Sequence, residues 1–217
     1  MARTDPAAVR RRTTGFIIGS AATFISGMLV QLVMVPSTNV SDQRWSYPWT
    51  ADALVGVSLL YFVLHLLVAD GLVTFGRHGV AGASRTARAG VGLAVAGALV
   101  FGAAELASIP PRAALVDDTS VVAAIALFVL GSVLSAIGLL MIGKTTLSAG
   151  IWHGWRRYTP LVAGLWTTVL VFLGPTPVLA AGVGLYGACL LAMAIALRTE
   201  AVSARSAEAG GLQLNRA

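Results

Sequence analysis

Few side chains in this sequence have types and spacing suited to chemistry, and most of those sit in apolar surroundings. His65 and Asp70 interrupt a run of Leu, Val, Ala and Phe over 53–75, and Glu105 stands in Ala103-Ala104-Glu105-Leu106. An ionisable group in such a run is costly to desolvate, so it must reach an interface, find a partner or line a polar cavity. On a helix Ser58, Tyr61 and His65 fall at i, i+3 and i+7 and share one face. Asp70 points nearly the opposite way. At about 1.5 Å per residue His65 lies within about 4 Å of the middle of its run, and Asp70 about 11 Å towards its end. Asp70 can therefore pair at an interface with Arg77 or Arg85, whereas His65 must face other helices or water. Ser132, Ser135, Trp166, Thr167, Thr168 and Tyr186 lie at a depth similar to that of His65. With Ser58, Tyr61 and His65 they make a candidate mid-membrane pocket; interhelical hydrogen bonding is the plainer alternative. Gln31 and Glu105 share a level about 10 Å from mid-span, where the two can hydrogen-bond; Arg44 or Arg112 reaching down to Glu105 is the alternative. Glu105 and His65 differ in depth by roughly 14 Å and are not a catalytic pair.

Several chemistries lack their constellation. A bis-histidine haem needs a second intramembrane histidine, but His78 and His153 fall between apolar runs. Zinc needs three or four clustered ligands, thiol–disulfide chemistry needs more than Cys189, and a retinal Schiff base would have to use Lys144 at a span end. Residues 138–145, Gly-Leu-Leu-Met-Ile-Gly-Lys-Thr, match the phosphate-loop pattern letter for letter. A phosphate loop needs a strand before it and an exposed turn, and these middle residues are instead the end of an apolar run. No nucleotide, cofactor or metal is expected, and no enzyme class is favoured.

The elements that must position these residues are membrane spans. Of 217 residues, 57% are hydrophobic and 11% charged, and the mean hydropathy is +0.82. Soluble domains carry about 25% charged residues. The net charge of +6 does not indicate nucleic acid, because Lys and Arg cluster between apolar runs. The expected fold is all-α, a polytopic membrane protein with a basic N-terminal segment over 1–14 and a six-helix bundle over 15–197. Its spans are 15–36, 51–75, 88–108, 119–143, 158–174 and 177–197. Residues 198–217 read as a flexible tail. Arg10-Arg11-Arg12 before a span-length run reads as a cytoplasmic anchor, not a cleaved signal.

With the N-terminus inside, all basic residues except Arg44 and Arg112 fall on the inner side. Both termini are then cytoplasmic and the location is the plasma (inner) membrane, as a multi-pass protein. Trp45, Tyr47 and Trp49 are expected as an outer aromatic belt, and Trp152, Trp155 and Tyr158 as an inner one. Small residues recur at helical spacing: Ala180, Gly184, Ala188, Ala192 and Ala196, and again Gly90, Ala94, Ala98 and Gly102. Such stripes serve packing within the bundle or docking on a membrane partner or second copy.

The pieces Arg44-Trp45-Ser46-Tyr47-Pro48, His65, Ala104-Glu105-Leu106 and Gly154-Trp155-Arg156-Arg157-Tyr158-Thr159-Pro160-Leu161 resemble small uncharacterised six-helix membrane proteins of actinobacterial type. That resemblance spans most of the chain and implies no activity, substrate or catalytic residue. The expectation from the residues is a non-enzymatic protein that binds or moves a small molecule, ion or lipid around His65. An accessory subunit docking through its small-residue stripes is the alternative.

Overall fold

The computed structural model describes residues 6–174 and 176–214, with side chains over 11–174 and 176–199. Arg3, Pro175 and Arg216 lie outside the described residues. The described chain is helical. Helix α1 (Pro6–Leu29) continues through a π turn (Val30–Met34) and a last turn (Val35–Ser37). The remaining helices are α2 (Ala51–Arg77), α3 (Arg85–Ala107), α4 (Val122–Ala149), α5 (Thr159–Leu173) and α6 (Leu179–Leu214). The π turn has a local cause: Pro36 has no N–H to give Leu32 and crowds its carbonyl, so the helix widens just before it. There the Val35 N–H bonds Val30 O.

Each helix packs on its neighbour in sequence, and α6 closes back on α1, giving a ring of six antiparallel helices. Among the described residues, five segments are long and apolar enough to cross a membrane: Arg11–Ser37, Ala51–Arg77, Arg85–Ala107, Thr119–Ala149 and Leu179–Thr199. The expected span over 158–174 is α5, whose 15 residues measure about 22 Å, against a hydrocarbon core of about 30 Å. Pro160 opens it and Gly174 follows it. Large apolar side chains face outward around the ring, up to 66% exposure at Leu32 and 74% at Phe172. A water-soluble surface does not carry such a belt. The architecture fits an integral membrane protein.

Several helix ends are capped. Thr50 accepts from Ala53 N at 3.3 Å, Ser84 accepts from Ala87 N at 3.0 Å, and Gly150 leaves α4 with φ of 64°. Asp118 accepts from Ser120 N at 2.8 Å, at the 3₁₀ turn that leads into α4. That backbone hydrogen bond holds the Asp118 carboxyl below its usual range. A lowered carboxylate pKa stabilises the cap above the unfolded-state value and is lost as pH falls through the folded-state value. Acidification, or Asp118→Ala, is therefore expected to speed hydrogen exchange at the Ser120 amide beyond its intrinsic pH dependence. An unchanged protection factor would count against the cap.

Members of both small-residue stripes pack inside the ring. A Cβ on Gly27 would come 2.5 Å from Gly184 N and 2.8 Å from Ala180 O, so α1 and α6 touch backbone to backbone. The α3 stripe divides between two neighbours. Gly90 meets Met141 and Gly138 of α4, while Gly102 meets Phe62 and His65 of α2.

The first and third loops pair at one end of the ring. Trp45 N donates to Ala114 O at 3.0 Å and Val116 N to Gln43 O at 2.9 Å. The Trp45 ring turns inward onto Phe128, centroids 6.5 Å apart. Trp152, expected in an inner belt, is instead a core residue at 1% exposure, edge-on to Phe75 at 5.5 Å. The glycine turn after α4 folds it under the bundle, while Trp155 and Tyr158 stay exposed. Helix α6 continues beyond residue 197, the expected end of the last span.

Candidate functional site

The ring places the shared face of α2 against α1 and α3. Ser58 and His65 are buried there at 0% and 8% exposure, with Tyr61 between them. Tyr61 Oη lies 2.8 Å from Ser26 Oγ of α1. Glu105 of α3 comes to the same group, with its carboxyl beside the Ser58 hydroxyl and within electrostatic range of Tyr61. One carboxyl and three hydroxyls from α1, α2 and α3 thus converge on one side of the ring. Among the described residues, Glu105 has no basic side chain at ion-pair distance.

One turn along α2 from Tyr61, His65 faces the ring interior. Its imidazole stacks on Phe101 of α3, centroids 5.2 Å apart and planes 17° from parallel, and the Tyr61 ring is 6.4 Å away. Phe101 also meets Phe128 of α4 at 6.4 Å and Tyr186 of α6 at 6.3 Å. Aromatic side chains from four helices therefore fill the level where a mid-membrane pocket was expected. Tyr186 neighbours Ser135 and Cys189 on the far side.

The expected pocket residues divide accordingly. Ser58, Tyr61 and His65 form one strip with Glu105, and Tyr186 and Ser135 meet across the aromatic cluster. Ser132 bonds back to Phe128 O at 2.9 Å, Thr167 to Ala163 O at 2.7 Å and Thr168 to Gly164 O at 2.9 Å. Trp166 donates to Gly182 O at 2.9 Å and ties α5 to α6. These four satisfy backbone acceptors. Gln31 does not meet Glu105: its side-chain oxygen accepts from Ala181 N at 3.2 Å, because the ring closes α1 on α6 and puts an early α6 amide beside the π turn. Asp70 pairs with Arg12 at 3.6 Å rather than with Arg77, because the antiparallel α1 brings Arg12 alongside it.

Ser26 and Phe101 were missed in the sequence. Ser26 lies at nearly the depth of Tyr61 when the two runs are aligned at their centres, and that could have found it. Phe101 is one helical turn before Glu105 on the same face, although a phenylalanine in an apolar run carries no signal by itself.

Residues 138–145 are continuous helix within α4, and both glycines of the pattern are used in packing. Gly138 presses on the Ala94 backbone and Gly143 on Leu161. Among the described residues no three His, Cys, Asp or Glu side chains cluster as metal ligands. No family model, curated protein or solved structure matches this chain.

Proposed function

We propose that this chain is a six-span protein of the plasma (inner) membrane, with both described ends cytoplasmic. In this reading it binds or moves a small molecule or ion through the polar strip around His65 and Glu105. The short α5 counts as the fifth span, held by its packing on α4 and α6. The distribution of basic residues supports the orientation: Arg11, Arg12, Arg77, Arg85, Arg88, Lys144, Arg156 and Arg157 belong to one end of the antiparallel ring.

The observation that carries the functional reading is Glu105, an acid beside Ser58 and Tyr61, whose hydroxyl in turn meets Ser26, with no base at ion-pair distance among the described residues. An acid with neighbouring hydroxyl oxygens suits a small cation or protonated amine, and the stacked His65–Phe101 pair supplies an aromatic wall. The test is the His65 imidazole nitrogen resonance of full-length protein in lipid nanodiscs, assigned with His65→Ala and titrated with alkali cations and short alkylamines. A saturable shift is expected with at least one of them. Glu105→Gln should weaken it tenfold or more, about 1.4 kcal/mol. Absence of any shift would remove the reading.

A further inference from the structure

A second site lies at the other end of α2. Between α1 and α2 there is an open groove of about 660 Å³, lined by none of the residues of the Glu105 strip. Its charged rim is Arg11, Arg12 and Asp70, and the rest of its lining is Thr14 with Gly15, Ile18 and Leu67, the last three making an apolar floor. On α1, Arg11, Gly15 and Ile18 fall at i, i+4 and i+7, so one face carries a charge, then a gap, then an apolar side chain. Gly15 keeps the gap open, since a Cβ there would stand 3.4 Å from Leu67 Cδ2. The Arg12–Asp70 pair spans 3.6 Å with its side chains 34% and 46% exposed. It neutralises one guanidinium and leaves that of Arg11 as a net positive charge on the rim.

We infer that this groove holds the headgroup phosphate and upper acyl chain of an anionic phospholipid. The charged rim lies at the bundle end where the basic segments gather, and the groove runs from it towards the apolar belt, since Ile18 is 54% exposed. Arginine forks match phosphate oxygens in paired hydrogen bonds. A zwitterionic lipid would bring a quaternary ammonium to the same arginines, so charge selects the anionic headgroup. The floor demands a chain below the phosphate, which a free anion lacks.

Native mass spectrometry of the detergent-solubilised full chain tests this, with palmitoyl-oleoyl phosphatidylglycerol, the matching phosphatidylcholine and inorganic phosphate as probes. One phosphatidylglycerol per chain should be retained, about tenfold more than phosphatidylcholine, and excess inorganic phosphate should not displace it. Arg11→Gln with Arg12→Gln should cut retention about tenfold. Leu67→Trp, which fills the floor without changing charge, should do the same. Equal retention of the two lipids, displacement by phosphate, or retention unaffected by the arginine changes would overturn the assignment. Should Leu67→Trp fail to elute as folded protein, the exposed arginine variants decide alone. Neither arm involves Glu105 or His65, so failure here leaves the reading of the other site standing.

Discussion

Gly138→Leu is expected to destabilise the bundle more than any other single change to a glycine in α4. A Cβ at Gly138 would press on the Ala94 amide nitrogen, and would lie 2.7 Å from Gly90 O and 2.9 Å from Ala94 Cα. All three are backbone atoms of α3, so no rotamer change can make room and the two helices must part. The mirror contact lies nearby, where a Cβ on Gly97 would stand 2.6 Å from Ser135 N and 2.8 Å from Gly131 O. Overpacking costs about 1–3 kcal/mol where side chains can yield, and more is expected where only backbone is met. Lipid supplies no hydrophobic drive to push separated helices together again, since association rests on close van der Waals contact. A loss of about 3 kcal/mol corresponds to a fall in Tm of roughly 6–12 °C for a chain of this size. Cys189 reports it: the thiol is half-buried in the folded ring, and its labelling rate on heating follows unfolding. The control is Gly56→Leu, where an added Cβ meets nothing within 4 Å and the change should stay within about 0.5 kcal/mol. If both variants melt together, the backbone contact is not what holds α3 to α4.

Phe101→Ala should give the second large effect, for the opposite reason. Phe101 is 6% exposed and touches the rings of His65, Phe128 and Tyr186. Removing it empties the meeting point of four helices. Truncating a buried phenylalanine costs about 3–5 kcal/mol, the spread reflecting how far neighbours collapse into the space. Each of these neighbours is anchored on a different helix, so collapse would have to move whole elements. The expected result is a Tm lowered by about 10 °C, with helical circular dichroism unchanged at low temperature. Phe101→Ala and His65→Ala should also be non-additive, because each removes the other's stacking partner. A Tm within about 2 °C of the parent chain would show that the aromatic cluster is not central to stability.

The runs around 15–36, 51–75, 88–108, 119–143 and 177–197 each read directly as a helix, because span length and apolar composition are properties of consecutive residues. The short α5 read less directly, since its 15 residues carry the composition of a span without its length. Rotation about each helix axis could not be read, and everything at the site depends on it. The strip Ser58, Tyr61 and His65 was visible because it lies within one helix. Glu105 was visible as an outlier by itself, but its place beside this strip was not, nor was Ser26, because which neighbour α2 turns towards is decided by packing between helices. The same limit explains Gln31 and Asp70. They were paired by depth or by nearness in sequence, and both find partners across α1 contacts instead, Gln31 where the ring closes on α6 and Asp70 where the antiparallel α1 lies alongside α2. Trp152 shows a different limit: composition places tryptophan at the interface, but the turn at Gly150 carries it underneath the bundle.

The contact of Gly27 with Gly184 also sets an order in time. Synthesis runs from α1 to α6, so α1 enters the membrane with its Gly27 face bare, and its partner follows about 150 residues later, roughly 8–30 s at about 5–20 residues per second. Throughout that interval the face meets only lipid or another protein, since α2 covers a different side, around Gly15 and Gly19. The last helix is therefore what turns an open row of hairpins into a closed ring, and until it arrives a smooth, small-residue helix face is offered to any other nascent span nearby. Assembly of this fold is a race between its own sixth helix and its neighbours.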